Sequence, residues 1–259
     1  VVLDAHPITT KRMRVIQSGH LGDLIFSLTA TKRVAELHGA VDFHIGFREQ
    51  NGVPGHPSGG YCMNLKSYQY IKPLLEHQSY IKSVEMNSHP DIGYNFDKFR
   101  NHGLNLSAGD LRRNHFLVYP ELMSDLHEPC IEATEPIPYF ADKILLNFTS
   151  RYRNYDINYF PLKEHKCVFF GYEDEYIAFT DRWQLDCELL KCQDALMLAT
   201  IIGSSKAFIG NQSSTYAIAE QMKVKRLLEI CVHSPNVIPV NNGFDYVTNQ
   251  AFNHLLTTL

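Results

Sequence analysis

Apolar positions along the chain fall into short blocks that alternate in period. Residues 13–17 (MRVIQ) form a compact apolar run closed by Ser18-Gly19, which predicts a buried first strand. Leu24, Ile25, Leu28, Val34 and Leu37 then recur at helical spacing as far as Gly39, a suitable C-cap. Residues 41–46 (VDFHIG) predict a second strand, so strand, glycine-containing loop, helix and strand make a βαβ unit of a parallel sheet. A helix is expected over residues 68–75 and a strand over 81–86. Residues 49–60 (EQNGVPGHPSGG) read either as a surface connection or as a mobile lid on an acceptor side. Residues 87–138 are rich in His, Asn and Pro, have little periodicity, and end near an expected domain boundary at 135–139.

A second array follows. Residues 143–148 (KILLNF) and 166–170 (KCVFF) predict strands, separated by a polar loop over 149–158. A helix is expected from Glu173, another over 194–202 (DALMLATII), a strand over 207–209, a polar turn over 210–215, a helix over 216–222 and a strand over 226–230. A short helix over 251–259 closes the chain. Two such arrays in series predict two facing Rossmann-like domains, residues 1–138 and 139–259. Ligands are then expected in the cleft at the carboxyl ends of the strands.

Composition narrows the function. With 24 Lys plus Arg against 28 Asp plus Glu the net charge is −4, which argues against a broad nucleic-acid-binding face. Local basic pairs remain available for one diphosphate: Arg12 with Arg14, Arg112 with Arg113, and Arg151 with Arg153. The six cysteines form no C-x-x-C pair or His/Cys ladder, so a zinc site is not expected and the thiols read as buried in a reducing compartment. The longest apolar run, near 196–202, falls well short of the roughly 18 residues that span a bilayer. No secretory signal is evident, and a cytoplasmic chain, with or without peripheral membrane association, is expected.

Four segments carry possible chemistry. In Ser18-Gly19-His20-Leu21-Gly22-Asp23 the glycines allow close backbone approach to a ligand, and Asp23 reads either as a cleft carboxylate or as a helix cap. This loop is not a G-x-G-x-x-G fingerprint. Gly210-Asn211-Gln212-Ser213-Ser214-Thr215 reads either as an anion site at a helix N-terminus or as a simple hydroxyl cap. Thr149-Ser150-Arg151-Tyr152-Arg153 reads as a phosphate clamp or a solvated loop. Gly171-Tyr172-Glu173-Asp174-Glu175 is an acidic helix start or the source of a carboxylate for a ribose. No D-x-D motif occurs, which disfavours a metal-dependent sugar transfer, and the thirteen histidines form no H-E-x-x-H motif.

In order along the chain, residues 13–30, 144–161, 168–175 and 208–222 resemble the heptosyltransferase family of lipopolysaccharide synthesis, which are GT-B glycosyltransferases. The resemblance implies a transferase that moves a sugar from a nucleotide-sugar donor to a glycan acceptor with inversion and without a metal or other cofactor. Asp23 would be the general base. Gly22, Thr149, Ser150, Arg151, Arg153, Gly171, Glu175, Asn211, Gln212, Ser213, Ser214 and Thr215 would bind the donor. The chain departs from the family where Asn211-Gln212-Ser213 replaces Asp-Thr-Gly, where Tyr216 replaces a histidine, and in an insertion near 155–158. Asn211 and Tyr216 favour, as an alternative, a non-catalytic binder of glycans or nucleotide sugars on the same scaffold; a nucleotide-sugar epimerase or hydrolase is a third reading.

Overall fold

A computed structural model describes residues 12–49, 59–87 and 91–259. Most of the proposed lid, residues 50–58, lies outside the described residues. The first sheet holds β1 (Arg14–Gln17), β2 (Val41–Ile45), β3 (Ile81–Glu85) and β4 (Tyr94–Asn95), all parallel, in the order β3-β2-β1-β4. The single helix expected after β1 is divided into α1 (Leu21–Phe26) and α2 (Leu28–His38), which meet at Ser27. Gly39 caps α2 at φ +84°, a backbone region that costs glycine little. Helix α3 (Leu65–His77) then leads to β3.

The weakly patterned stretch contains the two-residue strand β4, a 3-10 helix at Phe96–Asn101 and α4 (Leu111–Val118). The second sheet runs β10-β9-β8-β5-β6-β7 and is parallel throughout. Its strands are β5 (Ile144–Asn147), β6 (Cys167–Phe170), β7 (Glu188–Leu190), β8 (Ala207–Asn211), β9 (Arg226–Glu229) and β10 (Gly243–Tyr246). The helices are α5 (Glu173–Trp183), α6 (Ala195–Ser204), α7 (Ser214–Met222) and α8 (Asn249–Leu256). Counted within its own sheet, the order is that of a doubly wound Rossmann fold, with its topological switch point between β5 and β8.

Strands covered on both faces explain the unbroken apolar runs. Leu145, Val168, Phe208 and Leu228 point into a large core with Leu198, Ile201 and Ala217, while Ile144, Leu146, Phe169 and Ile209 pack with Phe179 and Phe252. The large core continues into the first half through Val15, Leu24, Leu28, Phe43 and Leu74. Helix α1 packs on α7 and α3 on α6. Gln221 reaches across to donate to Ile25 O at 3.0 Å and to Thr29 Oγ1 at 3.0 Å.

A buried ionic cluster reinforces this junction. Glu220 of α7 has no solvent exposure. It receives Arg112 Nη1 at 2.5 Å, Arg226 Nε at 2.6 Å and Lys223 Nζ at 3.1 Å. Arg112 also donates to both oxygens of Asp110 and to Ile238 O, and Arg226 donates to Val224 O and Val240 O. Arg112 is therefore a structural group and not part of a diphosphate grip, because its guanidinium is wholly buried and every nitrogen is engaged. Removing one member of a buried ion cluster strands the others in a poorly solvating interior. Glu220→Ala is expected to cost about 3–5 kcal/mol of unfolding free energy, measurable by denaturant titration.

Candidate functional site

The carboxyl ends of β1 and β4 form the switch point of the first sheet. There the Ser18 amide donates to Asp97 Oδ1 at 3.1 Å, and the Gly19 amide donates to Gln17 Oε1 at 2.8 Å. Asp23 occupies the third position of α1, not its N-cap; the cap is His20, whose amide donates to Asp23 Oδ2 at 3.1 Å. Arg100, from the 3-10 helix after β4, donates to the same oxygen at 2.7 Å. Among the described residues Asp23 Oδ1 carries no hydrogen bond. A side chain at Gly19 would strike Asp23 Oδ2 at 2.5 Å and Arg100 Nη2 at 2.6 Å, so glycine is what lets the backbone lie against this ion pair. Gly22 faces open space.

His115 lies behind the ion pair, fully buried among the edges of Phe96 and Phe99. Burial pushes its imidazole down to about 4, with Asp23 opposing and Arg100 adding to the depression. Burial also lowers His20, opposed by Asp23 and assisted by Arg151 and Arg100. The influence of Arg151 is informative, since it arrives from the second half of the chain. Arg12 and Arg14 lie elsewhere: they precede or open β1 at its amino end and pair with Asp42 and Asp91. Arg113 is exposed on α4.

The second switch point, between β5 and β8, is a braced loop. Asn211 is fully buried; its Oδ1 accepts from the Thr149 amide at 2.9 Å, and its Nδ2 donates to Thr149 O at 3.1 Å and Arg151 O at 2.5 Å. Asn147 Nδ2 donates to Phe170 O at 2.7 Å, and Asn147 Oδ1 accepts from Ser213 Oγ at 2.7 Å. That same Ser213 Oγ caps α7 by accepting from the Tyr216 amide. A Cβ on Gly210 would meet Asn147 O at 2.4 Å, so this crossing also requires glycine. The loop reverses at Tyr152, held at φ +54°, a sparsely populated backbone state for a non-glycine residue.

Glu175 holds the other side of the loop. Its Oε1 accepts from the Ser150 amide and its Oε2 from the Tyr172 amide, each at 3.1 Å. Burial raises this carboxyl, while the two amides oppose the rise. A side chain at Gly171 would press on the Phe169 ring and Glu175 Oε2. Arg153 is a correction to the expected clamp: Glu229, buried at the end of β9, accepts from its Nε at 2.9 Å, and its guanidinium lies against Phe148. Glu229 also accepts from the Asn154 amide and the Tyr159 hydroxyl. Asn211 and Gln212 are corrected in the same sense. Asn211 is sealed beneath the loop, and buried Gln212 donates to Ser234 O and Asn236 Oδ1. Thr215 is buried in the first turn of α7, and Ser214 beside it is half-buried. Thr149 is partly buried, whereas Ser150 and Arg151 are exposed, and among the described residues neither side chain has a hydrogen bond or ion pair. Reading the sequence did not single out Arg100, Asp97, Glu229 or His115, since no motif or period marks them.

No protein-family profile matches the chain, and no curated protein sequence matches it significantly. Solved structures do. A glycosyl transferase family 9 protein from Veillonella parvula DSM 2008 superposes with a TM-score of 0.62 at 11% identity, covering 96% of this chain and 89% of that one. The ADP-heptose lipopolysaccharide heptosyltransferase II of E. coli also gives 0.62, at 12% identity, covering 96% and 98%. E. coli heptosyltransferase WaaC with ADP-2-deoxy-2-fluoro heptose gives 0.54 at 8% identity, covering 96% and 99%. The architecture is that of the GT-B glycosyltransferases: two Rossmann-like sheets with facing switch points. No helix among the described residues is long and apolar enough to cross a membrane, and none of their His, Cys, Asp and Glu side chains form a metal-binding group.

Two outcomes follow from the braces. Asn211→Ala leaves the Thr149 amide and the Thr149 carbonyl without their partner, at a cost of about 1–3 kcal/mol. Faster amide hydrogen exchange over residues 149–152 would report the loosened loop. His115 binds a proton more weakly folded, at about 4, than at its ordinary 6.5. The unfolded chain therefore takes up that proton first as pH falls. Stability should decline between about pH 6.5 and 4, and His115→Gln should remove that part of the decline in pH-dependent unfolding.

Proposed function

We propose that the protein is a glycosyltransferase that moves a sugar from a nucleotide-diphosphate donor onto a glycan acceptor. The observation that carries this reading is the pairing of two switch points. Asp23, oriented by Arg100, stands on one, and the open Ser150 and Arg151 stand on the other, close enough for Arg151 to act on His20. Residues 1–138 form the acceptor side and residues 139–259 the donor side. Phe47 and Tyr61, exposed beyond the carboxyl end of β2, offer ring faces on which an acceptor sugar can stack.

Asp23 Oδ1 acts as general base, taking the proton of the acceptor hydroxyl as that oxygen attacks the anomeric carbon and inverts it. Oδ2, held by Arg100 and the His20 amide, fixes the carboxylate's direction. The departing diphosphate is met by Arg151, the Ser150 hydroxyl and the first turn of α7, whose positive dipole end favours an anion. No step in this scheme requires a metal ion. The ADP-heptose bound by structurally similar heptosyltransferases suggests the donor class.

Asp23→Asn should lower transfer by about 10²–10⁴-fold with the fold intact; turnover near that of wild type would remove Asp23 from the role. Arg151→Ala should weaken nucleoside-diphosphate binding by about tenfold or more, from the loss of a charged hydrogen bond. A thermal-shift titration with nucleoside diphosphates reads this directly, because a ligand of the native state raises Tm. An unchanged titration would exclude Arg151 from the phosphate site.

A further inference from the structure

The amino-terminal ends of β6 and β7 lie on the far side of the second sheet from the cleft, and they place two thiols side by side. Val168 pairs with Glu188 in parallel register, so one step back Cys167 stands beside Cys187. Neighbouring strands are about 4.8 Å apart, within the Cα separations of about 4.4–6.8 Å that a disulfide spans. Both thiols point to the same face, since both join the smaller core with Phe169 and Leu185. Both are free and buried. Cys187 is also near enough to weigh electrostatically on Cys167.

The pair is reachable. A cavity of about 230 Å³ opens beside Cys167, lined also by Lys163, His165, Gln184 and Asp186. Lys163 and Asp186 are exposed and His165 is half-buried, so the entrance offers both signs of charge to a small zwitterionic molecule.

We propose that Cys167 and Cys187 are a redox dithiol that closes into an intramolecular disulfide, with glutathione disulfide as the oxidant. Cys167, at the cavity wall, loses its proton and attacks one sulfur of glutathione disulfide. This forms a mixed disulfide and releases one glutathione thiolate. Cys187 then loses its proton and attacks the Cys167 sulfur, expelling the second glutathione thiolate. The two protons end on the two glutathiones: the protein loses two hydrogens and one glutathione disulfide is reduced. Burial pushes Cys167 up to about 12 and Cys187 up to about 11. Few thiolates therefore exist near neutrality, and closure should be slow there and faster in mildly alkaline buffer. The closed bridge would encircle α5 and tie the edge strand β7 to β6, raising Tm by several degrees.

The test uses the full chain in two arms: folded protein with glutathione disulfide in mildly alkaline buffer, and protein refolded from denaturant in a glutathione redox buffer, where access to the thiols is not limiting. The expected result is an intact mass lower by two hydrogens and a cross-linked Cys167–Cys187 peptide on digestion. Cys187→Ser should abolish the cross-link and leave a glutathione adduct on Cys167; Cys187→Ala serves if the serine variant does not fold. Recovery of both residues from the refolded wild-type protein as separate thiols, as separate glutathione adducts, or bonded to other cysteines would overturn the proposal.

Discussion

Glu220 is the point on which the arrangement of the two halves turns. A carboxylate with no solvent exposure is strongly unfavourable unless its charge is met, and here it is met by Arg112, Arg226 and Lys223. Arg112 belongs to α4, and Arg226 opens β9. Through the carbonyls of Ile238 and Val240 both guanidiniums also hold the segment between β9 and β10. Charge compensation in a dry interior tolerates little displacement, so the cluster sets where α4 lies against α7. Together with the apolar core that runs from Val15 to Phe208, it keeps the switch points of the two sheets opposite each other.

At the second switch point a single logic recurs: polar groups at strand ends and in the first turn of α5 hold loop backbone, and the side chains of Ser150 and Arg151 are left to solvent. Asn211, Glu175 and Glu229 bind the amides or carbonyls of residues 149–154. This explains why an amide, and not a carboxylate, suits position 211. Asn211 accepts from the Thr149 amide while donating to the carbonyls of Thr149 and Arg151; an aspartate could accept but could not donate. Asn211 thereby holds the loop from below, and the polar side chains of the loop that remain open are Ser150 and Arg151.

The core strands and most helices were legible along the chain because parallel strands are apolar on both faces and α6 is almost wholly buried. Helix α4 was not, for a definite reason: its inward face carries Arg112, Asn114 and His115 beside Phe116, so burial there follows no apolar period. Strand β4 is two residues long and β7 three, too short to impose a pattern, while β10 is an edge strand whose two middle residues are exposed, so it carries no apolar run. The same holds for the site. Asp23 and residues 149–151 stand beside glycine or hydroxyl turns after apolar strands and could be found by that context. Arg100 sits in a segment without periodicity and becomes meaningful only where it meets Asp23.

By itself the sequence determined the two α/β arrays, the turns that end their strands and the residue types available at those turns, since all of these are set by neighbours a few positions apart. Which arginine is free was decided by tertiary structure. Arg112 and Arg153 look as available as Arg151 on paper, yet Glu220 and Glu229, distant in sequence and buried in the fold, claim the first two. A charge taken out of water must find its partner wherever the chain brings one, and local spacing carries no record of that meeting.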